Sequence, residues 1–240
     1  MSMLEIELGG VSIRINRKAI KNIHLSVHPP EGKVTIACPE ATPDETIRLY
    51  LTSKIGWIKR QQKLLQGKER QSPRKYVTGE THYLFGRAYR LKVIPVEGKP
   101  SVQVKDKTGV EMMVPPGMHP EAKQELLKEF YRDKLKQLLA RMMEDWCARM
   151  EVSPDNWQVK AMKTKWGSCN TVKGTLLFNL ELAKKPKSCI EYIVVHELVH
   201  LKERLHNDRF VAYMDRYLPT WRTRKDELNS LPVAHVDWEY

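Results

Sequence analysis

Residues Ile193 to Leu201 read Ile-Val-Val-His-Glu-Leu-Val-His-Leu: two histidines four apart, with a glutamate beside the first, inside an otherwise apolar run. Such a run belongs in a core, and its pattern fits a helix covered on most sides. Two imidazoles and a carboxylate left without partners would be costly there. On an α-helix, residues four apart lie about 40° apart in azimuth and about 6 Å apart along the axis, so His196 and His200 can face one ion. A metal supplies the missing partner, and zinc suits the His-Glu-x-x-His pattern. Glu197 lies within a turn of both histidines, where its carboxylate can act as general base on a metal-activated water. Zinc lowers the pKa of such a water from about 15.7 to about 7. The chemistry expected is metal-assisted hydrolysis.

Structural zinc takes four protein ligands, whereas catalytic zinc takes three and keeps one position open. His206 is the best third ligand. On an unbroken helix it would lie about 240° around and about 9 Å beyond His200. That is incompatible with zinc–nitrogen distances of about 2.1 Å, so the helix must break between the two. Asn207 and Asp208 can cap a new helix carrying Phe210, Val211, Met214, Tyr217 and Leu218, which puts His206 at the corner. The spacing matches the long metzincin motif, but Glu203 stands where that motif has a turning glycine. Asp208, Asp215, Asp226 and Glu227 stay open as carboxylate alternatives, although a solvated helix face accounts for most of them.

Four ordered motifs carry a family resemblance: Lys165-Trp166-Gly167-Ser168-Cys169-Asn170, then Leu176-Leu177-Phe178-Asn179-Leu180, then Ile190 to Glu197, then His206-Asn207-Asp208-Arg209-Phe210. Together they resemble the YgjP-like metallopeptidase family, zincins related to the WLM and SprT-like proteases. The likeness extends to Arg14–Val27, to Trp57-Ile58 and to Leu84–Leu91, and so covers nearly the whole chain. It implies zinc held by His196, His200 and His206, with Glu197 as base, in a zincin-like, minimal gluzincin catalytic domain. Its departures are small, such as Asn207 where Ser is frequent, and none touches a ligand.

The Trp-Gly-Ser-Cys segment also has a physical reading. Lys160–Lys165 and Thr175–Glu181 read as strands joined by a turn around Thr171–Gly174, with Gly167 marking a bulge or a close backbone approach. Such a hairpin can wall a cleft and bind an extended polypeptide substrate by strand addition. Trp166, Ser168 and Asn179 are the candidate cleft residues, with core packing or turn satisfaction as the plainer role for Trp166 and Asn179. Cys169 is a poor nucleophile candidate, since no His or Asp stands at an informative spacing, and as a fourth ligand it would close the open position. Tyr213, Tyr217, Arg209 and His235 are equivalent by type as stabilisers of a tetrahedral intermediate.

The fold class expected is α+β: an N-terminal antiparallel β-rich domain over 1–117, then a zincin-like helical catalytic domain with a small sheet over 118–240. Residues 3–38 alternate in period two and break at Gly9-Gly10, Pro29-Pro30 and Gly32. A helix is expected from about Asp44 to Gln66, further strands from Gly79 to Val114, and a long helix from Pro120 to Met150. No internal repeat is visible. Met1–Glu7 lacks the basic start and long apolar run of a secretion signal, and no segment reaches 18 apolar residues, so a cytoplasmic protein without a membrane span is expected. Cys38, Cys147, Cys169 and Cys189 form no Cys-x-x-Cys pair, which argues against a disulfide framework or a zinc ribbon.

The formal charge is +12. Its densest stretch, Lys54–Lys75, sets Lys54, Lys59, Arg60, Lys63, Lys68, Arg70, Arg74 and Lys75 against Glu69 alone. With Trp57 beside them, Lys54, Lys59, Arg60 and Lys63 form a candidate basic exosite for nucleic acid or an acidic protein, or else a solvated helix face. Nothing supplies base readout, so nucleic-acid binding there would be non-specific and salt-sensitive. Three functions are carried forward: a zinc peptidase, a zinc-dependent nucleoside triphosphate pyrophosphohydrolase on the same site, and a non-enzymatic binding module with structural zinc. Against the second, the chain has no Gly-rich phosphate loop and no carboxylate cluster suited to magnesium.

Overall fold

Alternation at the N-terminus becomes a sheet. The computed structural model describes residues 4–28, 32–66, 74–162 and 165–231. In it Leu4–Leu8 (β1), Val11–Lys18 (β2), His24–His28 (β3) and Lys33–Pro39 (β4) pair in the order β1-β2-β4-β3. Gly9 and Gly10, at φ 58° and 78°, make the tight β1–β2 turn. The inward set Val11, Ile13, Ile15, Val34, Ile36 and Cys38 forms one core with Ile47, Leu51 and Ile58 of helix α1 (Asp44–Gln66). The sheet is not wholly antiparallel as expected: β1–β2 and β3–β4 are, but the central β2–β4 pair is parallel. Alternation reports which face is buried, not which strand lies alongside, and here β3 takes the edge and leaves β4 beside β2. Pro29-Pro30 lies outside the described residues.

The same path recurs. Thr81–Leu84 (β5), Arg87–Pro95 (β6), Ser101–Val104 (β7) and Gly109–Val114 (β8) pair in the order β5-β6-β8-β7, again with a parallel centre and antiparallel flanks. A helix follows, α2 (Pro120–Met150), with its proline in the first turn. Two ββββα modules thus share a topology that leaves no visible repeat in the sequence, because which strands lie side by side is settled by packing and can be met by different residues.

The chain divides into compact units between Gln71 and Ser72, not near residue 117. Leu91, Val110, Met112 and Val114 share a core with Leu127, Phe130, Leu135 and Leu139 of α2. Pro115-Pro116-Gly117 punctuates the chain, but the buried face of β8 needs α2 against it.

Beyond α2 come Asn156–Lys160 (β9), Gly167–Asn170 (β10) and Thr175–Asn179 (β11), ordered β10-β11-β9, with β9 parallel and β10 antiparallel to β11. The expected hairpin is present, but its first strand is 167–170 rather than 160–165, and Lys160 instead ends β9. A 3-10 turn (Leu180–Lys184) leads to α3 (Lys187–Val199), then α4 (Asp208–Tyr217) and α5 (Trp221–Ser230). In α3, Ile190, Val194, Val195, Leu198 and Val199 are fully buried, each such side chain contributing about 1.5–3 kcal/mol of burial. The start of α5 covers this helix. Trp221 stacks on Tyr192 at 6.3 Å, Arg224 pairs with Glu191, and Ser188 donates to Glu227 at 3.1 Å. Trp146 of α2 donates to the other Glu191 oxygen at 3.1 Å. No described helix is long and apolar enough to cross a membrane.

Candidate metal centre

Helix α3 delivers His196 and His200 on one face and then stops, with His200 as its C-cap. The amides of Leu201, Lys202 and Glu203 fold back on the carbonyls of Leu198 and Val199. No residue of this corner has a positive φ, so Glu203 occupies the glycine position of the long motif without strain. Helix α4 restarts at once, and the Asn207 side chain caps it by accepting from the Phe210 amide at 3.0 Å. The helix therefore breaks where the spacing required, and the break brings His206 back to the other two.

Ligating nitrogens of His196, His200 and His206 lie within 4.8 Å of one another. His196 Nε2 and His206 Nε2 are 3.1 Å apart, close to the roughly 3.3 Å edge of a tetrahedron with metal–nitrogen bonds of about 2.0–2.1 Å. His200 Nδ1 lies 3.2 Å from the Glu203 carbonyl. A proton held there leaves Nε2 bare for a metal. Phe210 packs against all three rings, with centroids at 5.0, 4.8 and 4.6 Å. Burial, and then the neighbouring imidazoles and Lys225, push His196 down to about 3. The ring is held neutral, the form that ligates. Three imidazoles converging at an open cleft fit a divalent cation with a coordination position to spare.

The carboxylate alternatives are engaged elsewhere. Asp215 accepts from Trp221 at 2.7 Å and pairs with Arg222, while Glu227 accepts from Ser188. Asp208 is in the first turn of α4, and neither it nor Asp226 belongs to the histidine cluster.

Glu197 is 4% exposed. Burial pushes its carboxyl up to about 8, and Lys165 partly opposes the shift. A cation at the histidines would favour its ionised form. Strand β10 runs directly over it: a Cβ on Gly167 would lie 2.4 Å from Glu197 Oε1. The close approach that Gly167 signalled is thus to the candidate base itself.

The cleft has a volume of about 770 Å³. Its walls are residues 165–172 of β10 and the following turn, the face of α3 bearing Tyr192, His196, Glu197 and His200, the corner residues Arg204 and His206, and Lys225, Leu228 and Asn229 of α5. Trp166 and Ser168 stand in these walls, as expected. Asn179 does not. It is 5% exposed, its Nδ2 donates to the Met162 and Lys165 carbonyls at 2.8 Å each, and its Oδ1 accepts from the Glu181 amide at 3.1 Å. Asn179 therefore anchors the chain leading into β10. The Cys169 thiol lines the cleft but is pushed up to about 11 by burial and by Glu197, which keeps it protonated and unreactive. Arg209, Tyr213 and Tyr217 lie outside the lining, and His235 lies outside the described residues.

Sequence reasoning gave no role at the metal centre to Tyr192 or Lys225, and read Phe210 only as a helix and motif residue. Tyr192 is four residues before His196 and meets its ring edge-on at 5.8 Å, and Phe210 is four residues after His206. The i, i+4 rule along α3 would have flagged Tyr192, whereas Phe210 meets His206 across the start of α4. Lys225 comes from a separate helix, and no local pattern points to it. Lys54, Lys59, Arg60 and Lys63 are all exposed on α1 in the first compact unit, with Trp57 37% exposed beside them. Lys68 and Arg70 lie outside the described residues.

Two solved structures resemble part of the chain. The metallopeptidase zymogen of Pyrococcus abyssi abylysin is 17% identical, over 39% of this chain and 98% of that one, with a TM-score of 0.35. The metallopeptidase zymogen of Methanocaldococcus jannaschii jannalysin is 21% identical, over 39% and 91%, with a TM-score of 0.32. No curated protein matches significantly. Residues 21–231 match the family described as YgjP-like, metallopeptidase domain, a span that runs from β3 through the second module, β10 and all three histidines. With that match over most of its length, this chain belongs to the YgjP-like metallopeptidase family.

Proposed function

We propose that the protein is a zinc-dependent peptidase in which Glu197 is the general base. The observation that carries this reading is the convergence of three imidazoles beside a buried glutamate, at the floor of a cleft edged by a strand. Zinc bound by His196, His200 and His206 would supply Lewis acidity to the attacking water and to the peptide carbonyl. Glu197 takes the proton of that water and returns it to the departing amine, so the carboxylate ends each cycle as it began. Gly167 lets the β10 backbone lie against this carboxylate and fixes where it points. Strand β10 is the edge of its sheet among the described residues, and its backbone can pair with an extended substrate, holding the scissile bond across the cleft while tolerating varied side chains. The exposed cations of α1, which meet no acid on that helix after Glu45, are proposed as an exosite for a polyanionic partner.

The test is a mass-spectrometric search for products after the zinc-loaded protein, or its Glu197→Gln form, meets unfolded polypeptides and nucleoside triphosphates. New peptide termini that depend on Glu197 are expected, with the variant slower by about 10²–10⁴-fold and still holding zinc. Phosphate or diphosphate release that depends on Glu197, with the peptides intact, would replace this reading with the nucleotide one.

A further inference from the structure

The cleft carries charge of one sign. Its walls present Lys165 just before β10, Arg204 in the corner between the second and third histidines, and Lys225 on α5, all three exposed. The one carboxylate in the walls is Glu197, buried and assigned to the reaction. Nearby acids answer other cations: Glu203 faces Arg209 at 3.9 Å, Asp215 pairs with Arg222, and Glu191 pairs with Arg224. Lys165, Arg204 and Lys225 enter no salt bridge among the described residues. Two of them stand close to the chemistry, since the field of Lys165 reaches Glu197 and that of Lys225 reaches His196.

Cations brought to one concave surface by three separate elements, with no acid to neutralise them, focus a positive potential on whatever enters. A divalent ion at the histidines adds to it. The Lys225 ammonium lies over Trp221, with Nζ 5.8 Å from the ring centroid, and Trp221 in turn stacks on Tyr192, so this exposed lysine stands beside the Tyr192–His196 turn. A peptide paired with β10 turns alternate side chains to opposite faces. Its residues beside the scissile bond therefore meet these charges directly.

We propose that the cleft selects polypeptides carrying aspartate or glutamate within a residue or two of the scissile bond, with Lys165 and Lys225 holding the acidic side chain. The proposal rests on the peptidase reading above. Opposite charges meeting at a wet cleft raise affinity more than they speed chemistry, so the preference falls on KM.

The test uses the zinc-loaded full chain and peptides in matched pairs, identical except for Glu or Asp against Gln or Asn at each position around the cut. The acidic member is expected to be cleaved with kcat/KM higher by about tenfold at low salt, through KM, and the ratio shrinks as salt screens the charges. Lys225→Glu, with zinc content checked, is expected to lower kcat/KM for acidic peptides about tenfold or more and to raise it for Lys-containing counterparts. Lys165→Gln is expected to weaken the preference without inverting it. Equal cleavage of both pair members, or a preference untouched by Lys225→Glu, would overturn the selectivity and leave the peptidase standing. Absence of Glu197-dependent cleavage of any peptide would overturn both.

Discussion

One hydrogen atom decides the geometry of the reactive carboxylate. Gly167 has no side chain because Glu197 fills the space where one would be, with its Cγ and its carboxylate carbon Cδ each 2.8 Å from the position of a Cβ. Any larger residue must push back either the strand or the base. Gly167→Ala is therefore expected to lower kcat about a hundredfold, the scale of an ångström-sized misplacement. Zinc stays bound because no ligand is touched. A steady-state assay paired with metal analysis checks this, and loss of the metal would mean the strand supports the histidines rather than the base. The site was largely legible at this scale: His196, Glu197, His200 and His206 stand where spacing and chemistry placed them, because one helix and one forced break fix all four. Asn179 was misread as a cleft residue because an amide's partners, here the Met162 and Lys165 carbonyls, belong to a loop whose path is not local to it.

At the scale of elements, the corner between α3 and α4 positions His206, the candidate third ligand, and it is held by a cap rather than by a glycine. Asn207→Ala removes the bond to the Phe210 amide, at a cost of about 1 kcal/mol. Zinc affinity, measured by chelator competition, is expected to fall several-fold in consequence, whereas Asn207→Ser, which can also cap, retains most of it. The second sheet holds a separate titratable device. His82 in β5 is buried, stacked on Tyr76 at 6.1 Å and 3.3 Å from Glu80. Burial, with Arg74 adding and Glu80 opposing, pushes it down to about 4. The unfolded chain then binds the proton more readily between about pH 6.5 and pH 4, so folding stability contributed by a neutral His82 falls as pH drops through that window and levels off below it. Urea unfolding of metal-free protein at pH 7 and pH 5 measures the effect. His82→Gln is expected to lose about 1–2 kcal/mol less than the unmodified chain between those two conditions, and an identical loss would place the titration elsewhere.

At the scale of the whole molecule, the catalytic apparatus and the basic α1 face belong to different compact units. The fragment Ser72–Leu231 is expected to bind one zinc and to keep Glu197-dependent activity on short peptides, because both the histidines and the core of α2, α3 and β9–β11 lie inside it. The full chain is expected to be retained on polyanion resin in a salt-sensitive way through α1 and the fragment is not, and retention of the fragment equal to that of the full chain would remove α1 from that role. The sequence by itself determined the three converging histidines, the glutamate beside the first of them, the helix break before His206 and the extents of α1 and α2, because each follows from spacing along one element or from its capping residues. Only the tertiary structure decided that β2–β4 and β6–β8 run parallel, that the chain divides into compact units after Gln71, that the same ββββα path is used twice, and that Lys225 reaches the cleft. The reason is physical: periodicity and capping are interactions over a few residues, whereas strand neighbours, core sharing and the field inside a cleft depend on which distant segments pack together.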